Sequence, residues 1–89
     1  MKAIVTVMGK DMVGIIAKVS SKCAESNANV IEVSQSVLQD LFAMIMLVDI
    51  SGLNCEFFKF AKSMSDTGEE LGLVITAMHE DIFNSMHKI

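Results

Sequence analysis

Ala3-Ile4-Val5-Thr6-Val7-Met8-Gly9-Lys10-Asp11-Met12-Val13-Gly14-Ile15-Ile16-Ala17-Lys18-Val19 is the stretch that decides the fold. Its first part is β-branched and apolar and stops at Gly9, which reads as a strand. Asp11 can cap a helix that begins at Met12 or Val13. Met12, Ile16, Val19 and Cys23 then recur at spacings of four, three and four, one face of a helix. A strand, a glycine-bracketed turn and a helix therefore open the chain. Asn27-Ala28-Asn29 ends the helix, because Asn tolerates the left-handed backbone there.

Downstream, Val30 to Leu38 alternates, with Ile31, Val33 and Val37 on one face and Glu32, Ser34 and Ser36 on the other. That pattern predicts a half-buried strand. Gln39-Asp40 breaks it, and Leu41 to Ile50 resumes as a strand apolar on both faces, so a hairpin with a central second strand is expected. On that strand Phe42, Met44, Met46, Val48 and Ile50 share one face. Ala43, Ile45 and Leu47 share the other, which needs cover from elsewhere. Asp49 falls at the strand end and is expected at an exposed edge. Asn54 is a candidate cap for a second helix, whose period runs through Phe57, Phe60, Ala61, Met64, Gly68 and Leu71, with Gly72 as its C-terminal glycine. Leu73 to Met78 makes a last strand, and Glu80 to Ile89 a short amphipathic tail carrying Ile82, Phe83, Met86 and Ile89. The order predicts an α+β, ferredoxin-like βαββαβ sandwich. It has a four-stranded antiparallel sheet, two helices on one face and a short C-terminal helix. One domain spans residues 1–89, with a core of 1–79 and a tail of 80–89.

Composition narrows the function. The 89 residues are 52% hydrophobic with a mean hydropathy of +0.49. A chain this short has a thin core, so surplus apolar surface points to a homodimer. The net charge is −4, Arg is absent and the Lys residues are scattered, which argues against nucleic acid. The longest apolar run, Leu41 to Val48, is far short of the ~20 residues that span a bilayer. With no leader evident, a soluble cytoplasmic protein is expected. Cys23 and Cys55 form no CxxC pair and read as reduced thiols, Cys23 an inert one on an apolar helix face. Met44, Met46 and Met64 read as core fillers.

The turn itself supports two readings. Gly9 and Gly14 can let a ligand approach backbone N–H groups at a helix N-terminus, where the dipole favours a carboxylate. Alternatively, they let strand and helix pack closely. No Walker-type Lys-Ser/Thr follows Gly14, which excludes that mode of nucleotide binding. Asp11 fits both a cap and a partner for a ligand's amino group. His79, Glu80, Asp81 and His87 are the one cluster of metal-ligand residue types, and a solvated tail explains them better. No nucleophile–base pair is evident, so no catalytic residue, metal or cofactor is assigned and an enzyme is not expected.

The segments Ile4–Met8, Gly9–Gly14 and Ile15–Val19, with Asn27-Ala28-Asn29-Val30-Ile31-Glu32-Val33-Ser34-Gln35, resemble an ACT domain over residues 1–79. The tail is similar to that of short, stand-alone, uncharacterised ACT proteins, and the chain is more distantly similar to glycine-cleavage transcriptional regulators. The resemblance implies a regulatory domain that senses an amino acid or similar small anion at a dimer interface near the first strand–helix turn. Carried onto this sequence, it implies a site at Gly9, Asp11, Val13, Gly14 and Ile15, with Asn29 and Val30 from the same or a partner subunit. The competing reading is an interaction module that binds a partner enzyme or regulator without a small ligand.

Overall fold

The computed structural model describes residues 1–10 and 13–86. The elements are β1 (Lys2–Lys10), α1 (Ile15–Glu25), β2 (Asn29–Leu38), β3 (Leu41–Asp49), α2 (Phe57–Leu71), β4 (Val74–His79) and α3 (Glu80–Met86). The strands form one antiparallel sheet in the order β2-β3-β1-β4. This is the expected sandwich, with β3 inside the sheet.

The pleat divides the sheet into two faces. Ala3, Val5 and Val7 of β1 and Phe42, Met44, Met46 and Val48 of β3 are buried on one of them. They join Ile15, Val19 and Cys23 of α1 and Phe60 and Met64 of α2 in a single core. The methionines 44, 46 and 64 are at most 1% exposed, so they are core fillers. Gly68 sits where α2 crosses β4, and a Cβ there would stand 2.8 Å from the Leu73 carbonyl oxygen. Close helix–strand approach therefore explains that glycine. Gly72 ends α2 in the left-handed region at φ 73°, as its position in the sequence implies. Among the described residues, no helix is long and apolar enough to cross a membrane.

Several local expectations are corrected. Helix α1 begins at Ile15, after a left-handed Gly14 (φ 84°), and not at Met12 or Val13. A left-handed residue cannot continue a right-handed helix, so the helix starts beyond it. Ile15, Val19 and Cys23 then form the buried stripe, and Ile16, about 100° around the helix from Ile15, is left exposed. Asp11 and Met12 lie outside the described residues. Asn54 does not cap α2. Its amide Nδ2 donates to the Glu25 carbonyl at 2.8 Å, and Asn27 Nδ2 donates to the Gly52 carbonyl at 2.6 Å. The two bonds tie the end of α1 to the loop before α2. Asp49 is on a central strand, opposite Lys2 and Asn29, and not at an edge. Its carboxylate accepts the Ser51 backbone N–H at 2.9 Å, which holds its pKa below the ordinary value.

Strand β2 departs furthest from expectation. It is not half-buried: every residue is exposed except Val30, which is partly buried. A bulge between Val30 and Glu32 takes Ile31 out of the alternation. The cross-strand partners of Val33, Gln35 and Val37 are Met46, Met44 and Phe42, so these three lie on the helix side of the sheet. Of β2, only Val30 packs against the core, and Val33, Gln35 and Val37 stay exposed on that side.

Candidate functional site

Gly9 and Gly14 bracket the same turn for different physical reasons. A Cβ on Gly9 would stand 2.5 Å from Leu73 Cδ2, so Gly9 is a packing glycine at the α2–β4 corner. A Cβ on Gly14 would meet nothing within 4 Å among the described residues. What requires glycine there is the backbone, at φ 84°. Close packing thus accounts for Gly9 and not for Gly14.

The described residues at the start of α1 are largely open to solvent. Val13 is 97% exposed, and Ile16 on the first turn of α1 is also exposed. The first helical bond runs from the Lys18 N–H to the Gly14 carbonyl at 3.0 Å. The N–H groups of Ile15, Ile16 and Ala17 precede that ladder, and among the described residues no side chain caps the helix. Ile15 itself is 3% exposed and anchors the turn to the core. This arrangement offers backbone donors and the positive end of a helix dipole beside an exposed apolar side chain.

The remaining two positions named from sequence are far away. Asn29 pairs with Asp49, and Asp49 with Lys2, at the opposite end of the sheet from Gly9 and Lys10. Seven residues of strand separate Lys2 from Gly9, about 23 Å. Within one chain, Asn29 and Val30 therefore do not join the Gly9–Ile15 turn.

One concavity is absent from the sequence reading. On the sheet face away from the core, Thr6, Met8, Ala43, Ile45 and Met78 line a groove of about 370 Å³ beneath Phe83 of α3. Phe83 is partly buried, so the tail is not wholly solvated, whereas Ile82 and Met86 are exposed. The signal for this placement was available only as the amphipathic pattern of the tail. Thr6 and Thr76 hydroxyls pair on the same face.

The ionisable groups show no catalytic arrangement among the described residues. The rings of His79 and Phe57 meet at a tilt of 40° with centroids 4.2 Å apart. No three His, Cys, Asp or Glu side chains of the described residues could share a metal ion. His87, named with that cluster, lies outside them. Cys23 and Cys55 are free thiols, and burial pushes the Cys23 thiol up to about 11.

Comparison with known proteins agrees with this architecture. The ACT domain family model matches residues 2–78. A UPF0237 protein of Methanocaldococcus jannaschii is 47% identical over 88 residues, covering 99% of this chain and 98% of its own. The solved ACT domain protein from Streptococcus pneumoniae superposes with a TM-score of 0.81 at 38% identity, covering 93% of each chain. A protein described as a glycine cleavage system transcriptional repressor shares the fold, with a TM-score of 0.75 at 19% identity over 86% of this chain and 44% of that one. The chain belongs to the ACT domain family, a family whose members are commonly small-ligand regulatory domains.

Proposed function

We infer that this protein is a stand-alone regulatory domain that senses an amino acid or a similar small anion at an interface between two copies. The observation that carries the reading is the open Gly14 turn. Among the described residues nothing packs where a side chain at its glycine would stand, and its helix N-terminus offers the N–H groups of Ile15, Ile16 and Ala17 without a described side-chain cap. A ligand carboxylate would accept from those donors. Val13 and Ile15 would contact the ligand's apolar part, and Asp11 would take its ammonium group. Gly9 supports the turn from the strand side. Asn29 and Val30 enter only from a second copy, because about 23 Å separates them from the turn within one chain.

Titration calorimetry with an amino-acid panel tests the reading, on the protein and on Gly14→Val. A β-branched residue at a left-handed position distorts the turn. One amino acid is expected to bind the parent chain and to lose at least tenfold in affinity with the variant. Absence of binding across the panel at millimolar ligand overturns it.

A second reading rests on the groove under Phe83, whose lining is nearly all apolar. An interaction module would seat a partner's apolar side chain there without any small ligand. Pull-down with and without residues 80–89 separates the two, since ligand sensing at Gly14 does not need α3.

A further inference from the structure

The sheet carries apolar side chains on both faces, and α1 and α2 cover one of them. Ala3, Val5 and Val7 lie in the core with those helices, so the alternate residues Ile4, Thr6 and Met8 face the other way. Ladder partners extend this outer face: Leu47 and Met78 flank Ile4, and Ile45 flanks Thr6. Its cover is α3, which meets β1 and β4. Ile4 on β1 is 8% exposed, whereas Ile45 on β3, one strand further from β4, is 47% exposed. The cover is therefore partial, and the groove beneath Phe83 lies at its margin.

Little holds α3 in place. Strand β4 is fixed up to its last residue, because His79 pairs with Ala3 and its ring meets that of Phe57. Glu80 follows at once and starts the helix, so the hinge falls between these two residues. From Asp81 to Met86, Phe83 alone is even partly buried, and the other apolar side chains, Ile82 and Met86, are exposed. A helix of seven residues is too short to persist by itself in water. Its order depends on the seating of Phe83. The gain from one partly buried ring is opposed by the entropy of ordering the whole segment, so docked and released states lie close in free energy.

We propose that α3 is a reversible strap, latched by Phe83, whose release opens the outer sheet face to an aromatic group. The chain itself shows what this surface holds, because the group seated there is a phenyl ring. The adjoining groove suits a second ring: it is lined by the thioethers of Met8 and Met78, which adapt in shape and contact aromatic edges favourably. An incoming ring would take the seat of Phe83 together with this groove, so the strap and the occupant exclude one another. The proposal rests on the groove reading above and adds a gate to it. The Gly14 turn plays no part in it.

Two variants of the full chain test the strap. Phe83→Trp supplies the only tryptophan, because the sequence has none. Its emission reports the latch, while circular dichroism reports the sheet. On heating, the indole is expected to move into solvent about 10 °C before the sheet melts. Phe83→Ser is expected to keep its fold by circular dichroism and to bind the aromatic probe anilinonaphthalene sulfonate about threefold more strongly than the parent chain. Adding Ile45→Lys, on the same face, is expected to remove that gain. An indole signal that changes only with the sheet overturns the strap, as does a folded Phe83→Ser without the gain or a gain that survives Ile45→Lys. A Phe83→Ser chain that does not fold makes the ring part of the core and overturns the strap as well. Probe binding to neither the parent nor Phe83→Ser removes the groove reading too, whereas failure of the indole test alone removes only the strap.

Discussion

Strands β2 and β3 are joined by two residues and share one antiparallel ladder, and each presents apolar side chains on the helix side of the sheet. β3 nevertheless buries Phe42, Met44, Met46 and Val48 to 4% exposure or less, and on β2 only Val30 is even partly buried. The cause is lateral position. β3 has a strand on each side and the helices above it. β2 has one neighbouring strand, and only Val30 near its start packs against the core. The two glycines of the first turn differ in the same way: Gly9 stands against Leu73, and a side chain at Gly14 would meet none of the described residues within 4 Å. One half of the molecule is a packed core, and the other is a surface whose apolar groups await company.

The largest effect that sharpens this contrast is a core truncation on β3. Met46→Ala should cost about 2–5 kcal/mol in urea unfolding, the usual range for a fully buried methionine. Val33→Ala, on the residue that pairs with Met46, should cost within about 0.5 kcal/mol in the same measurement. If Val33→Ala destabilised the single chain like Met46→Ala, the division between covered and bare strands would be broken.

The next effect contrasts the glycines. Gly9→Ala forces a shift of Leu73 and should cost about 1–3 kcal/mol, as overpacking does. Gly14→Ala has space and carries only the left-handed backbone penalty, about 1–2 kcal/mol. Gly14→Asn should recover part of that loss, because Asn tolerates the left-handed region, whereas Gly9→Asn should not recover stability. Thermal unfolding of the four variants checks the ordering.

Alkaline pH offers a smaller test of the packed half. The Cys23 thiol titrates at about 11 when folded, against 9.0 for an unperturbed thiol. The unfolded chain releases this proton first, so stability is fully present below pH 9 and falls as the pH rises from about 9 to 11. Cys23→Ala should flatten that fall. Thiol labelling at pH 8 should modify Cys55 well before Cys23 in the folded chain.

Local sequence was enough for much of this molecule because local physics acted alone. The strand of residues 2–8, the α2 period ending at Gly72, the two-residue break at Gln39-Asp40 and the methionine core of β3 all follow from side-chain periodicity and turn chemistry. The topology followed from their order, since few sheets accommodate strand, helix, strand, strand, helix, strand. Sequence also named the Gly9–Gly14 turn, and it left two explanations for the glycines. Only tertiary structure separated them, because the neighbour that excludes a side chain at Gly9 is Leu73, far along the chain. The same holds for Phe83 over the open sheet face and for the bareness of β2. Alternation in a sequence records that two faces differ; it does not say what covers each. That depends on where the helices come to rest across the sheet, which is a property of the packed whole.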